Sequence, residues 1–594
     1  MKFINSIKLL ALFAGGEIAQ CAISNGNIGI GHQASIQDSQ FGLTNSLNPV
    51  LKAPNAYSHI APIEVYGIAY QPDFNHYHHA GKAEDKKGYI DPLAYSEICS
   101  RDIEYLKELN VNVIRVYAID PQANHDYCMN LLAKNNIYLI ADLSEPKASV
   151  DRKEPTWDGD LYDRYKNVVD ALEKYNNVLG FFAGNEVVND RTTTSAAPFV
   201  RASIRDVKKH IVKKKYRNIP IGYSTNDDSQ IRDFLSNYFI CGDDNTSKAD
   251  FYGINNYEWC GHSTFRTSGY SERVADFKNF PIPVFFSEFG CNTVRPRPFT
   301  EVDALFSPLM SDAFSGGIMY MYFEEQNQFG VVEIVDSKNL SSPVKKLEDF
   351  KFLQYEYGKV NIKGVHREDY KPSATGNVSC KEQTENWKAS TVLPNTPDQF
   401  KCDCLLSALS CTKAPIATIT LEERKDLYGK ICSANESETL PCAKISGNGT
   451  TGKYGIFSGC RQSQRLSFAL NEYFMRNNQG MTYCDFENKA IIVNSRNSIE
   501  DLKAINEPNS SIRRTCFDAI GEEYISAIYG EFKANEKTDE TESISPSTET
   551  AIMRSGATRI TVARSKKISD GIINSIATIM VVAFAVLAFT SIFK

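Results

Sequence analysis

The sequence predicts an α/β fold, a TIM (β/α)8 barrel, followed by a small disulfide-rich, mainly helical module. Eight short, almost continuously apolar segments alternate with helical stretches between residues 55 and 365. Such segments are typical of parallel strands buried on both faces, and eight of them fit a TIM barrel. Eight cysteines then fall between Cys402 and Cys516, as in a disulfide-stapled module. A doubly wound open sheet is the alternative for the first region, but no glycine-rich phosphate loop follows the first strand.

The predicted strands follow one another along the chain, and the predicted catalytic barrel spans residues 55–365. The strands are Glu64–Tyr70, Val111–Tyr117, Ile137–Asp142, Val178–Gly184, Ile219–Tyr223, Asp250–Asn255, Ile282–Ser287 and Gly317–Tyr322. Helical character fills most of the intervals, as in Tyr95–Glu108 and Leu161–Lys174.

Composition divides the rest of the chain into three regions. Residues 366–400 are interpreted as a connector and residues 401–530 as the cysteine-rich module. Residues 531–570 are rich in Ser, Thr, Glu and Lys and poor in apolar residues, which predicts a solvated stalk.

The two ends of the chain predict export. Residues 1–22 have a weakly basic start, a short apolar run and small residues for cleavage, as in a secretory signal peptide. The apolar run Ile576–Phe593 follows small residues and a short spacer, which favours a glycosylphosphatidylinositol (GPI) anchor signal over a retained transmembrane helix. The tail 571–594 would then be removed, with Asp570 as the expected attachment residue and Gly556 as the alternative.

Cysteine content and charge agree with an exported protein. Of 15 cysteines, Cys21 lies at the predicted cleavage point, and the even number that remains favours disulfides. A net charge of −7 and a pI of about 5.9 give no indication of nucleic-acid binding. No metal or other cofactor is expected, because the histidine cluster His76, His78 and His79 lacks both HExxH spacing and a matching carboxylate set. Six Asn-x-Ser/Thr sequons are candidate glycosylation sites: Asn245, Asn339, Asn377, Asn435, Asn448 and Asn509.

Two glutamates mark the predicted catalytic end of the barrel. In a TIM barrel the active site lies where the strands end, and Glu186 follows the fourth strand while Glu288 follows the seventh. Glycosidic chemistry uses two facing carboxyl groups, one that protonates the leaving oxygen and one that attacks the anomeric carbon. A single glutamate of this kind could equally pair with a basic residue, but two at the expected strand ends favour catalysis.

The sequence motifs around these glutamates are more specific for one family of enzymes. They are Tyr66-Gly67-Ile68-Ala69-Tyr70-Gln71, Arg115-Val116-Tyr117, Gly184-Asn185-Glu186-Val187, Asn255-Asn256-Tyr257-Glu258-Trp259-Cys260-Gly261 and Ser287-Glu288-Phe289-Gly290-Cys291. In this order they resemble glycoside hydrolase family 72, the fungal GPI-anchored β-1,3-glucanosyltransferases, over roughly residues 60–365. The run from Tyr454 to Phe486 resembles the cysteine-rich carbohydrate-binding module of family 43. Whether that module binds glucan or braces the barrel is left open.

The first resemblance implies roles for individual residues. Glu186 would be the acid/base, Glu288 the nucleophile, Asn185 a partner of the sugar 2-hydroxyl, and Tyr257 a hydrogen-bond partner of the nucleophile. Further substrate-binding positions would be Gln71, Tyr117, Asp142, Asp227, Arg232 and Tyr320. Phe329 stands where the family often has a tyrosine. The implied disulfides are Cys99–Cys128, Cys241–Cys380 and Cys260–Cys291.

The resemblance implies a retaining enzyme that cleaves an internal β-1,3-glucan linkage and transfers the glucosyl intermediate to another glucan. Its expected location is the outer face of the plasma membrane and the cell wall. The two carboxylates alone do not decide between transfer and hydrolysis. A purely hydrolytic endo-β-1,3-glucanase and a non-catalytic glucan-binding wall protein remain the alternatives.

Overall fold

A computed structural model describes residues 65–72, 90–311, 313–337, 339–360, 378–432, 442–493, 499–509, 511–521 and 525. The predicted signal peptide, the histidine cluster, the stalk, Asp570 and the C-terminal tail lie outside these ranges. Within the described ranges, every helix is too short or too polar to span a bilayer.

Eight parallel strands close into a barrel in chain order, as the sequence predicts. They are β1 (Val65–Ala69), β2 (Val113–Val116), β3 (Tyr138–Asp142), β4 (Val178–Asn185), β5 (Ile221–Asn226), β6 (Tyr252–Asn255), β7 (Val284–Phe289) and β8 (Gly316–Met319). The strand boundaries differ from the predicted ones at the catalytic end. Glu288 lies inside β7 rather than after it, and Tyr320 follows β8 rather than lying within it.

Helices surround the barrel and build the module. Those of the barrel region are α1 (Ser96–Glu108), α2 (Asp126–Lys134), α3 (Gly159–Leu172), α4 (Ala197–Lys214), α5 (Arg232–Tyr238), α6 (Tyr270–Phe277), α7 (Glu301–Leu305), α8 (Pro308–Ser311) and α9 (Glu348–Lys359). Those of the module are α10 (Gln399–Ala408), α11 (Leu421–Cys432), α12 (Gln462–Arg476), α13 (Ile499–Ala504) and α14 (Cys516–Ile520). Short 3-10 helices lie at Pro92–Ala94, Thr194–Ala196, Ala443–Ile445 and Met481–Cys484.

Three small antiparallel pairs complete the secondary structure of the described residues. The strands are β9 (Val332–Ile334) with β10 (Val344–Lys346), β11 (Cys411–Lys413) with β14 (Ala490–Ile492), and β12 (Gly447–Asn448) with β13 (Lys453–Tyr454). The first pair extends the barrel domain after β8, and the other two belong to the cysteine-rich region.

The two-residue period of β2 explains why polar groups reach the barrel interior. Val113 belongs to the apolar cluster that fills the barrel, together with Phe182 and Phe285. Because side chains two apart share a face, Arg115 and Tyr117 point inward above Val113. The interior is therefore apolar at its base and polar toward the ends of the strands.

Seven disulfides hold the described chain together, and they use every cysteine from Cys99 onward. Three are the pairs that the resemblance implied, Cys99–Cys128, Cys241–Cys380 and Cys260–Cys291. The module contains four more, Cys402–Cys460, Cys404–Cys516, Cys411–Cys484 and Cys432–Cys442. The Cys402-Asp403-Cys404 sequence is thus structural, because its two cysteines join different partners.

The module packs directly on α3 of the barrel. The guanidinium of Arg465 pairs with the buried carboxylate of Asp158, the N-cap of α3, at 2.7 Å. Arg461 pairs with Asp160 in the first turn of α3 at 3.0 Å. The ring of Tyr454 meets Phe199 of α4 edge to face. Part of the run that resembles the carbohydrate-binding module is therefore used to brace the barrel, while glucan binding by the module stays a prediction.

A buried carboxyl group at the start of α7 should make folding stability depend on pH. Glu301 is only 3 % exposed. Burial raises its pKa to about 8, and the nearby Glu356 acts in the same direction. The folded chain then keeps a proton that the unfolded chain loses above its ordinary pKa, so the free energy of unfolding falls as the pH rises from about 4.5 to 8.

In Glu301→Gln, we expect the fall in the free energy of unfolding between pH 5 and pH 8 to be smaller than in wild type by about 4 kcal/mol. Urea unfolding at both pH values measures it. Glu382→Gln, which changes an exposed glutamate, is the control and should leave the dependence unaltered. An equally steep decline in wild type and Glu301→Gln would contradict the prediction.

Candidate active site

Glu288 lies at the upper end of β7 with its side chain directed into the barrel mouth. It is 7 % exposed. The hydroxyl of Tyr117 donates to Oε1 at 2.9 Å, and the hydroxyl of Tyr257 donates to Oε2 at 2.8 Å. The guanidinium of Arg115 approaches Oε1 at 3.4 Å. Both oxygens therefore accept from donors, an arrangement that suits an ionised carboxylate.

Opposing effects set the pKa of Glu288. Burial raises it to about 7, and the neighbouring Glu186 acts in the same direction. Arg115 and the two tyrosine hydroxyls favour the ionised form. Burial and the charge on Glu288 keep the pKa of Tyr257 well above its ordinary value, so this hydroxyl stays protonated and remains a donor.

Glu186 follows the last residue of β4 in a left-handed backbone conformation, with φ of 49°. A side chain other than glycine adopts this region at a cost, and such positions are found at functional sites. Its amide donates to the carbonyl of Ser224 on β5 at 2.9 Å, and its carbonyl accepts from Arg152 at 3.0 Å. Its carboxyl Oε1 accepts from Nδ2 of Asn255 at 2.8 Å.

Irregular strand pairing accompanies both glutamates. The pairing of β4 with β5 shifts register between Phe182 and Asn185. The pairing of β6 with β7 shifts next to Asn255, which ends up opposite Glu288. Bulges of this kind turn a side chain away from its regular direction and are common next to active sites. Here they place Asn255 opposite Glu288 in the sheet and within hydrogen-bond reach of the Glu186 carboxyl group.

Asn185 has a fixed orientation. Its Oδ1 accepts from Arg115 at 3.0 Å, from the hydroxyl of Ser224 at 2.9 Å and from Nδ2 of Asn255 at 3.1 Å. Because three donors converge on the oxygen, Nδ2 is the end of this amide that can serve a substrate hydroxyl. This agrees with the 2-hydroxyl contact that the resemblance implied.

Arg115 is the central residue that the sequence reasoning quoted but left without a role. It is fully buried. Its guanidinium donates to both carboxylate oxygens of Asp142 at 3.1 Å. Its Cζ lies 4.3 and 4.5 Å from the ring centres of Tyr117 and Phe182. It also reaches Glu288 and Asn185. The available signal was an arginine within the otherwise apolar strand segment Val113-Ile114-Arg115-Val116-Tyr117.

Ser224, Asn255 and Ser287 form a second supporting group, to whose members the sequence assigned no individual role. The hydroxyl of Ser287 donates to Oδ1 of Asn255 at 2.8 Å, and the hydroxyls of Ser224 and Ser287 lie 2.8 Å apart. These bonds fix the Asn255 amide so that its Nδ2 faces Glu186. Small polar residues within strand patterns carry no sequence signal for this role.

Two predicted substrate-binding residues are bonded to other parts of the site. Gln71 is 1 % exposed: its Oε1 accepts from the amides of Tyr117 and Ala118 at 3.0 and 2.9 Å, and its Nε2 donates to the carbonyl of Ile90 at 2.5 Å. Both ends of this amide hold backbone groups, so Gln71 positions Tyr117. Asp142 is likewise buried against Arg115. Direct contact of either residue with a sugar stays a prediction, because strand-end position does not reveal which side chains are already paired.

Asp227 and Arg232 lie together beside the mouth in a larger ion-pair network. Arg232 donates to Oδ1 of Asp227. Arg273 of α6 contacts Oδ2 of Asp227 at 3.1 Å, and Nδ2 of Asn256 donates to the same oxygen at 2.9 Å. Asn256 directly precedes Tyr257, so this network positions the loop that carries a partner of Glu288.

An aromatic wall borders Glu288. The rings of Tyr320 and Phe329 meet edge to face at 5.3 Å, and Phe329 meets Tyr257 at 5.7 Å. Arg297, buried on Asp349, donates to the carbonyls of Tyr320 at 2.8 Å and Phe329 at 2.7 Å. The Cys260–Cys291 disulfide ties the loop after β6 to the loop after β7 next to this wall. In the described part of the chain, no group of three His, Cys, Asp or Glu could hold a metal ion.

A closed (β/α)8 barrel with one glutamate directly after β4 and a second near the end of β7 is typical of retaining β-glycosidases and related transglycosidases. Residues 57–361 match the family model described as glucanosyltransferase, and residues 409–491 match the X8 domain. The chain belongs to this glucanosyltransferase family and carries an X8 domain.

Characterised relatives resemble most of the chain. A 1,3-beta-glucanosyltransferase, GAS2, of Saccharomyces cerevisiae is 46 % identical over 437 residues, which cover 73 % of this chain and 75 % of the relative. The pH-responsive protein 1 of Candida albicans is 45 % identical over 446 residues, covering 74 % and 79 %. The crystal structure of Saccharomyces cerevisiae Gas2p in complex with laminaritriose and laminaritetraose superposes with a TM-score of 0.65 at 44 % identity, covering 75 % of this chain and 98 % of that one.

Proposed function

We propose that this chain is a retaining β-1,3-glucanosyltransferase in which Glu288 is the nucleophile and Glu186 the acid/base. The observation that carries the assignment is the different surroundings of the two carboxyl groups. Three donors converge on Glu288, which favours the ionised form that attacks. Among the described residues, one side-chain donor, Nδ2 of Asn255, is directed at Glu186, and it bonds to Oε1. A proton on Oε2 is compatible with that bond.

The reaction proceeds in two steps. A carboxylate oxygen of Glu288 bonds to the anomeric carbon of an internal glucosyl unit, while the glycosidic bond breaks and the proton of Glu186 passes to the departing oxygen. The shortened donor is then held as an ester on Glu288. In the second step Glu186 takes the proton of an incoming hydroxyl, whose oxygen displaces Glu288 and restores the β linkage.

The supporting residues are expected to stabilise these charge changes. Arg115 and the hydroxyls of Tyr117 and Tyr257 hold Glu288 in one orientation before attack, so little reorganisation is needed during the step. Nδ2 of Asn185 is the donor available for the sugar 2-hydroxyl. A bond to that hydroxyl strengthens as the ring approaches an oxocarbenium ion.

Transfer and hydrolysis differ only in the group that attacks the ester. The relatives' names and the laminari-oligosaccharides in the homologous crystal structure favour a glucan acceptor. The aromatic wall of Tyr257, Tyr320 and Phe329 offers apolar faces on which a sugar can displace water.

Incubation with one reduced laminari-oligosaccharide tests the proposal directly. We expect products longer than the input, with release of the reducing-end fragment, by chromatography and mass spectrometry. Products that are all shorter than the input would identify a hydrolytic endo-glucanase. No turnover combined with retention on glucan would identify a binding protein.

We further infer that the chain acts outside the cell, attached to the plasma membrane by a GPI anchor at or near Asp570. Seven disulfides support an oxidising compartment. The small residues and apolar run at the C-terminus support the anchor.

A further inference from the structure

A groove on the outer wall of the barrel, separate from the active site, has the chemistry of a carbohydrate-binding surface. We call it the α1 groove. Its lining residues are Ser96, Glu97, Ser100, Arg101 and Tyr105 of α1, Tyr127 of α2, and Ser341 and Pro343 between β9 and β10; its volume is about 610 Å³. That volume lies within the usual range of ligand sites. Because α1 and α2 follow β1 and β2, their first turns lie toward the catalytic end of the barrel.

The groove presents a fixed, exposed aromatic face. Tyr127 is 54 % exposed, yet its hydroxyl lies 2.8 Å from the hydroxyl of Ser100. The residues next to these two, Cys128 and Cys99, form a disulfide that ties α2 to α1 at this point. A large exposed ring held by a covalent link and a hydrogen bond loses little freedom when a ligand stacks on it.

The opposite wall is anchored as well. Arg101 donates to the carbonyls of Leu340 and Ser342 at 3.3 and 3.2 Å, and it pairs with the buried Asp102 at 2.6 Å. Lys346 lies over the ring of Tyr105 at 5.4 Å. The groove is therefore built from three segments that are bonded to one another.

The lining favours a neutral polyhydroxyl ligand. The serine hydroxyls and the tyrosine hydroxyls both donate and accept, as sugar hydroxyls require. The charge of Arg101 is already balanced by Asp102, and the other charged residue of the lining is the acidic Glu97, so an anionic polymer gains little. The ring of Tyr127 supplies the apolar face that the C–H face of a pyranose needs.

We propose that the α1 groove is a second binding site for β-1,3-glucan chains, which holds polymer on the barrel while the active site works on a chain end or linkage. The identity of the polymer rests on the proposed function, whereas the groove and its carbohydrate chemistry do not.

Retention on insoluble β-1,3-glucan tests the groove in the whole processed protein. We expect Tyr127→Ala to weaken retention about three- to tenfold, the size of one lost aromatic contact. Tyr355→Ala is the matched control, because Tyr355 is 65 % exposed on α9 and does not line the groove. Transfer rates on short oligosaccharides serve as the internal reference. They should stay unchanged in Tyr127→Ala, because the expected loss is in retention on the polymer.

Several outcomes would overturn the proposal. Unchanged retention of Tyr127→Ala is one, and an equal loss on polymer and on short oligosaccharides is another. An equal loss on insoluble β-1,4-glucan would show a general adhesive surface rather than a β-1,3-glucan site. Asn339, a sequon residue two positions from Ser341, allows a further control experiment with a glycosylation-site variant. If Tyr127→Ala no longer weakens retention once Asn339→Gln has removed the sequon, the groove holds the protein's own glycan instead. Absence of lengthened products from wild type would refute the transferase function but not the retention result.

Discussion

Glu288→Gln is expected to reduce the rate of glucanosyl transfer by about 10⁴-fold or more, as removal of a catalytic nucleophile does in other enzymes. The amide keeps the shape of the carboxyl group but cannot form the ester. The fold should persist, because the amide is close in size to the carboxyl group and Arg115 keeps its pairing with Asp142. Transfer rates with a laminari-oligosaccharide donor measure the effect, and thermal unfolding confirms the fold. Glu382→Gln is the exposed control.

Glu186→Gln should fail in a different way, and the contrast tests the two roles. A donor with a fluoride leaving group does not need protonation, so Glu186→Gln should still form the ester on Glu288. Without the base, the ester should accumulate and appear in the intact mass. Glu288→Gln should give no adduct with the same donor. An adduct on Glu288→Gln, or none on Glu186→Gln, would reverse or refute the assignment.

These two glutamates were predictable because strand order and chemistry point to the same end of the barrel. A parallel barrel places every strand end on one face, so Glu186 and Glu288 could be brought together from the sequence alone. The pairing irregularities that aim them could not, since they depend on how β4, β6 and β7 fit their neighbours. The implied contact of Tyr257 with Glu288 is present at 2.8 Å.

Two of the predicted substrate contacts already have partners within the site. Gln71 and Asp142 stand at strand ends, as substrate contacts do, but their polar atoms are satisfied by Tyr117 and Arg115. A sequence gives position along a strand but not the partner that consumes a hydrogen-bonding group. The predicted signal peptide, stalk and anchor concern residues outside the described ranges and stay predictions.

Arg115→Met is expected to damage both folding and catalysis. Asp142 and Glu288 would lose their shared buried cation, and removing one partner of such a pair costs about 3–5 kcal/mol. Turnover should fall by about 10²- to 10³-fold, because Asn185 and Glu288 lose a donor that orients them. Urea unfolding and steady-state rates measure the two effects.

The pH profile separates a role at Glu288 from a merely structural one. The guanidinium of Arg115 lowers the pKa of Glu288 against the effect of burial. Its removal should therefore shift the acidic limb of the kcat/KM profile to higher pH, because the nucleophile must be ionised. Arg201→Met is the matched control: Arg201 is a buried arginine of α4, bonded to the carbonyls of Tyr238 and Cys241. It should lose stability without moving that limb.

A double substitution completes the test. In Arg115→Met/Asp142→Asn both partners of the main buried ion pair are neutral, so much of the lost stability should return. Activity should not return, since Glu288 still lacks its cation and Asn185 still lacks its donor. Recovery of both together would mean that Arg115 acts only by holding the barrel. Recovery of stability alone would place it among the residues that position the nucleophile.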